Sequence, residues 1–236
     1  MFSQIRSLVG TRTRPPNAPD AFPSVEYASG LKVRVARLPA WQQAAFAASC
    51  AERLYPAYAA FRSVSGTDDG GLVRSALDLA WEGAATGGMS EEDPGALFER
   101  CVALIPDDEG DFTIPGHAEH AVSSAAYALQ AAAGLSGDAA GWAATVGTDA
   151  LDAFLINSGA VTWTATTRAE RAQMDQHVWR HDLVQAEVAR REVDLARLAS
   201  SADREASVRE LRGRAAGDSI LPLDQLDHDA GDTDGE

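Results

Sequence analysis

Five histidines, two cysteines and a dense set of charged and aromatic residues between positions 41 and 82 are the groups in this 236-residue chain that could carry chemistry. His117 and His120 are three apart and His177 and His181 four apart, spacings that put each pair on one helical face, as metal sites inside helical bundles require. A di-metal bundle also needs a Glu three residues before a histidine on each of two helices. Here Glu119 is adjacent to His120, and the positions three before His177 and His181 are the apolar Met174 and Val178. Hydrogen-bonded or surface histidines are therefore the expectation, with no metal and no cofactor.

The second constellation is charged and aromatic. Glu52, Arg53, Tyr55 and Tyr58 cluster around Pro56, while Arg74, Asp78, Trp81 and Glu82 share one helical face by i+4 and i+7 spacing. Brought together with Trp41, they would line a polar groove able to bind a charged ligand or a partner, or to do acid/base work if burial moved a pKa. The competing expectation is an internal ion-pair lattice that fixes helix register, with Trp81 packed at its edge. No catalytic residue is assigned. Cys50 and Cys101 are far apart and form no CxxC pair, so they read as reduced core thiols.

Composition removes several functions outright. Lys32 is the sole lysine and matches no P-loop GK[ST] and no Ser-x-x-Lys centre; a Schiff-base lysine in a helical core is likewise not expected. A formal charge of −15 at pH 7 argues against nucleic-acid binding, which needs a basic face, and favours a basic protein partner. Seven of those charges lie between residues 217 and 236: Asp218, Asp224, Asp227, Asp229, Asp232, Asp234 and Glu236. No apolar run approaches a membrane span, and the first residues lack a secretory apolar core, so a cytoplasmic protein is expected.

These groups have to be positioned by helices. Residues 1–30 read as a flexible Pro/Arg leader, and the alternation Leu31-Lys32-Val33-Arg34-Val35 reads as a short extended arm. Pro39 opens a helix that Pro56 interrupts, so that Ala57 to Phe61 starts a new one ending at Gly66. Thr67 to Asp69 caps a pass from Leu72 to Ala84, which Gly87 and Gly88 stop. Asp93 and Pro94 open the next, ended by Pro106. The acidic run 107–111 lacks the alternating ligands of a calcium loop. Ala118, Val122, Ala125, Leu129 and Ala132 form one stripe before Gly134; Trp142, Val146, Ala150 and Phe154 form another before Gly159. A long helix is expected from Arg168 to Leu198, with Met174, Val178, Val184, Val188, Leu195 and Leu198 inward and Arg/Glu outward. A last helix ends near Gly217, and Ile220-Leu221-Pro222-Leu223 tucks back onto the domain.

The segments LPAWQQAAFAASCAERLYPAY, ALDLAWE, LIP before an acidic loop, VWRHDLVQAEVARR and AGDSILPL, taken in order, resemble the YjaG-like family of small bacterial helical proteins of unknown function, over about residues 35 to 223. The matching positions are Trp41, Gln42, Glu52, Arg53, Tyr55, Pro56, Tyr58, Leu77, Asp78, Trp81 and Glu82. What the resemblance implies is an all-helical single domain with no established activity or cofactor. The chain departs from the pattern in its leader, its acidic tail, the residues around Ser200 to Ser207 and the His117–His120 region.

The expectation is thus an all-α, single compact bundle of about six or seven helices over residues 31–223, with an acidic disordered tail at 224–236. Its function is expected to be a non-catalytic acidic binding or regulatory role, one version being an immunity-type inhibitor of a basic partner, with a homodimer as one assembly. The rival is a metal-dependent or acid/base enzyme. Trp41, Glu52, Arg53, Tyr55, Tyr58, Asp78, Trp81 and Glu82 are the expected binding set.

Overall fold

The computed structural model describes residues 22–66, 68–89, 93–105, 116–162 and 164–222. Among them every regular element is helical: α1 (Pro23–Val35), α2 (Ala40–Ser65), α3 (Leu72–Thr86), α4 (Pro94–Val102), α5 (Gly116–Ala133), α6 (Ala139–Asn157), α7 (Arg168–Trp179), α8 (Asp182–Ser200) and α9 (Arg204–Gly217). The described residues therefore hold nine helices rather than six or seven. The leader before residue 22, the 107–111 loop and the 224–236 tail lie outside the described residues.

The central element is α2, which packs against α3, α5, α6, α8 and α9. Its small residues make this possible. Ala44, Ala45, Ala47, Ala48 and Ala51 are buried, as are Ala118, Ala121, Ala125, Ala126 and Ala128 of α5, so neighbouring backbones meet with little side chain between them. Gly83 of α3 shows this close approach, since a β-carbon there would sit 3.1 Å from the Ala132 methyl of α5. Phe46, Leu54, Leu77, Leu129, Leu151 and Leu155 fill the larger gaps.

Three expectations are corrected. First, Leu31 to Val35 is not an extended arm but the last turns of α1, which begins at Pro23. Alternating apolar residues at 31, 33 and 35 also contain an i, i+4 pair. Leu31 and Val35 are buried against the domain, while Val33 is left exposed. Second, α2 runs unbroken through Pro56 for 26 residues. A proline there removes one amide donor and crowds the carbonyl a turn earlier. Burial of Leu54, Ala57 and Tyr58 on both sides of it holds the helix together. The carbonyl of Arg53 accepts a hydrogen bond from the backbone N–H of Ile220 at 3.1 Å, so the tuck of the C-terminal segment expected from Ile220 and Leu221 is anchored at this point.

Third, the segment from Arg168 to Leu198 is two helices. The α7 N-terminus is closed by a capping box in which Thr167 and Glu170 satisfy each other's backbone amides. Its other end meets His181, whose Nδ1 accepts from the Leu183 N–H at 3.3 Å and so caps α8. The glycine stops hold as expected: Gly66, Gly87, Gly134 and Gly159 all have positive φ.

Candidate functional site

Glu52 and Arg53 are consecutive on α2 and therefore diverge by about 100° around its axis. That divergence splits the expected groove into two separate networks. On one side, Glu52 reaches α3. Its carboxylate receives two hydrogen bonds from Arg74, at 2.6 and 2.9 Å, and a third from the Trp81 indole N–H at 2.8 Å. Trp81 is 1% exposed, so its indole packs in the core and its N–H finds its partner in a charged acceptor. Arg74 goes on to Asp78 at 3.0 Å and lies 5.0 Å over the ring of Tyr55, and Arg212 of α9 also binds Asp78. Asp78 is exposed.

Tyr58 belongs to the end of the same face. Its hydroxyl donates to Asp69 at 3.0 Å, and burial pushes its pKa well above the ordinary phenol value, with Asp69 adding to the rise. Asp69 also accepts from the amides of Gly71 and Val73, which fixes the turn between α2 and α3. Glu82 is half-buried on α3 and enters neither network among the described residues. Trp41 stands apart as well. It faces Arg204, whose guanidinium lies 6.0 Å from its ring and donates to the carbonyls of Ala84 and Gly83 at 2.6 and 2.7 Å. Arg204 thus caps the C-terminus of α3, where the helix dipole favours a cation.

The other network was not legible as an inward face. Arg53 turns toward α8 and is 2% exposed, with Asp194 at 2.8 Å and Glu187 at 3.3 Å. Glu187 is bound in turn by the Nε of Arg191 at 2.8 Å, and Arg191 donates to the Thr148 hydroxyl of α6 at 2.8 Å. Glu187, Arg191 and Asp194 are 1%, 1% and 3% exposed. They occupy consecutive seam positions between Val184 and Leu198, so α8 docks through charges where an apolar stripe was expected. The signal was available in the spacing 184, 187, 191, 194/195, 198, the 3–4 alternation of a packed helix. Burial opposes the charge on Arg53, but Glu187, Cys50 and Asp194 hold its pKa above the usual arginine value. Burial likewise raises Glu187, and Arg53 and Arg191 reverse that and hold it below the usual carboxylate range. Gly147 of α6 makes room, since a β-carbon there would lie 2.6 Å from Arg191 Nη2.

The remaining candidates do not converge. Cys50 and Cys101 are buried and form no disulfide, and burial pushes the Cys50 thiol up to about 11. His117 and His120 share the first turns of α5, where His120 Nδ1 contacts the Gly116 carbonyl. His177 and His181, expected on one helix, fall on either side of the α7–α8 break. Among the described residues no three His, Cys, Asp or Glu side chains are arranged to hold a metal ion. Nor, among those residues, is any helix long and apolar enough to cross a membrane.

A third charged region lies between α1, α6 and α7. Asp152 of α6 is pushed up to about 6, first by burial and then by the negative charges of Asp175 and Asp149. Asp175 is raised by burial, which outweighs its hydrogen bonds from the Ser24 hydroxyl and N–H, and the nearby Glu26 adds to the rise. Burial raises Asp149 as well, but His120, Lys32 and Arg191 oppose that rise, so within this group the repulsion between carboxylates falls mainly on Asp152, while Glu26 acts on Asp175.

These networks can be set against related chains. A stretch of 52 residues is 44% identical to the uncharacterized protein YjaG of Escherichia coli K12 and 42% identical to YjaG of Salmonella typhimurium, covering 22% of this chain and 26% of each relative. The matched stretch is thus about a quarter of the length of these relatives. A crystal structure of a DUF416 family protein from Shewanella baltica OS155 superposes with a TM-score of 0.63 over 79% of this chain and 93% of that one, at 18% identity, which is a likeness of fold. The resemblance first carried by the tryptophan- and tyrosine-bearing segments extends to a family match over residues 30–220, from the middle of α1 to the C-terminal tuck, and the chain belongs to the family described as a protein of unknown function, DUF416.

Proposed function

We propose that this chain is a non-catalytic binding or regulatory protein of the cytoplasm that receives a basic segment of a protein partner on the carboxylates between α1, α6 and α7. The observation that supports the reading most is the grouping of Asp149, Asp152 and Asp175, with Glu26 beside Asp175. Burial first, and then the negative charges of Asp175 and Asp149, push the Asp152 pKa up to about 6. A Lys- or Arg-rich segment docked there would relieve the repulsion, and the net charge of −15 would steer its approach. The inward engagement of Glu52 with Arg74 and Trp81, and of Arg53 with Asp194 and Glu187, fits a structural role for those two residues.

The test is affinity capture from cell lysate on the immobilised chain, eluted by salt. Wild type, Asp152→Asn/Asp175→Asn and Asp78→Ala are compared after each is shown to be folded. A partner released by salt, lost in the double variant and weakened at pH 5, where Asp152 is protonated, supports the reading. Retention in the double variant with loss in Asp78→Ala moves the contact to the α2–α3 face around Tyr55 and Glu82 and overturns the proposed patch.

A further inference from the structure

Between α8 and α9 lies a cleft of about 450 Å³ whose lining includes Arg53, Arg190, Val193, Asp194, Arg214 and Asp218. Three guanidinium groups and two carboxylates line it, with Glu187 behind them at 3.3 Å from Arg53 and 3.6 Å from Arg190. Asp194 is occupied on both oxygens, by Arg53 at 2.8 Å on Oδ2 and by Arg214 at 3.1 Å on Oδ1, and so serves to orient the two arginines. Their donors are not exhausted. The Nε atoms of Arg53 and Arg214 are buried, and neither has a hydrogen-bond partner among the described residues; Glu210 stands 3.9 Å from that of Arg214, beyond a hydrogen bond. Arg190 is held only loosely, 3.6 Å from Glu187 and 3.8 Å from Asp218, distances beyond a hydrogen bond.

We propose that this cleft binds a small organic oxyanion. A guanidinium presents its N–H groups in a fixed fork that matches carboxylate and phosphate oxygens, and a buried, unmatched N–H gains more from such an acceptor than one in water. Arg190, about one-third exposed, swings from its long contacts onto the ligand, and Asp218 is the carboxylate the ligand displaces. Val193 supplies an apolar wall for a small body attached to the anionic group. The site is built by the same packing that buries Arg53, so it exists whether or not a protein docks on the α1–α6–α7 carboxylates.

Calorimetric titration of the full chain at low ionic strength tests this, with inorganic phosphate as the tetrahedral probe and succinate as the planar one. Saturable binding that falls tenfold or more in Arg190→Gln, with Arg209→Gln unchanged, is the expected result; Arg209 is an exposed α9 residue paired with Glu205 and outside the cleft. Binding of phosphate alone or succinate alone identifies which geometry the arginines accept. Arg190 is about one-third exposed and its ion pairs are longer than a hydrogen bond, so its variant retains the fold, and its melting curve checks this. No saturation with either probe up to about 10 mM, or equal weakening in Arg209→Gln, overturns the proposal.

Discussion

Replacing Arg53 by Met isolates what the charged seam of α8 contributes. The substitution keeps an unbranched apolar stem but removes a guanidinium that is 2% exposed and lies within 3.3 Å of two carboxylates. Breaking one partner of a buried ion pair costs about 3–5 kcal/mol, because the surviving charge stays desolvated. Glu187 retains Arg191 at 2.8 Å and Asp194 retains Arg214 at 3.1 Å, which places the loss near the lower end, about 3 kcal/mol. For a domain of this length that corresponds to a melting temperature lower by about 6–12 °C. The decisive arm is the joint variant Arg53→Met, Glu187→Leu, Arg191→Met, Asp194→Leu, Arg214→Met, which removes the buried network together with the second arginine on Asp194 and leaves Arg190 facing Asp218. With no charge left stranded, it should recover to within about 2 kcal/mol of wild type. Urea unfolding followed by circular dichroism at pH 7 reads both, and the single-variant loss should persist in 1 M salt, since buried charges are weakly screened. A single-variant loss below about 1 kcal/mol, or a joint variant less stable than the single one, would refute the argument that stranded charge sets the cost.

Other perturbations follow from the same geometry. The carboxyl of Asp152 is raised from 3.8 to about 6, so between those values the folded chain holds a proton that the unfolded chain has released, and stability falls as pH rises through this window. Asp152→Asn should therefore be more stable than wild type at pH 7.5, by about 1 kcal/mol after discounting for partial exposure, with the difference vanishing below pH 4 in urea titrations. Gly147→Ala drives a methyl to 2.6 Å from Arg191 Nη2 and 3.4 Å from Ile220, and should cost about 1–3 kcal/mol in thermal unfolding. Arg204→Ala removes the side-chain donor of the Ala84 carbonyl and leaves that of Gly83 with only the Gly87 N–H, at about 1–2 kcal/mol, and hydrogen exchange should quicken in the last turn of α3 before it does elsewhere.

Helix positions were legible where apolar period and glycine stops agreed, as for α3, where Leu72, Ala76, Leu77 and Leu79 are buried and Gly87 closes the end. They were illegible where one local pattern admits two structures. Leu31 to Val35 alternates like a strand, yet its outer residues are one helical turn apart, and only packing decides between the two. Pro56 breaks an isolated helix but not one clamped by neighbours over its whole length. The candidate groove failed for a simpler reason: adjacent residues on a helix cannot face the same way. Glu52 therefore went to Trp81 and Arg53 to Asp194. Glu187 and Arg191 belong to the Arg/Glu positions expected outward, because charged residues rarely fill a seam, and only the spacing they share with Asp194 marks them as exceptions.

The bond from the Ile220 amide to the Arg53 carbonyl joins the last described residues to the middle of the longest helix. During synthesis that helix emerges more than 150 residues before its partner does. A nascent or prematurely ended chain therefore carries the proline-weakened turn of α2 uncovered, with Arg53 close by and the pocket for Ile220 and Leu221 unfilled. Such a chain would offer quality-control proteases a ready opening that the finished protein has sealed.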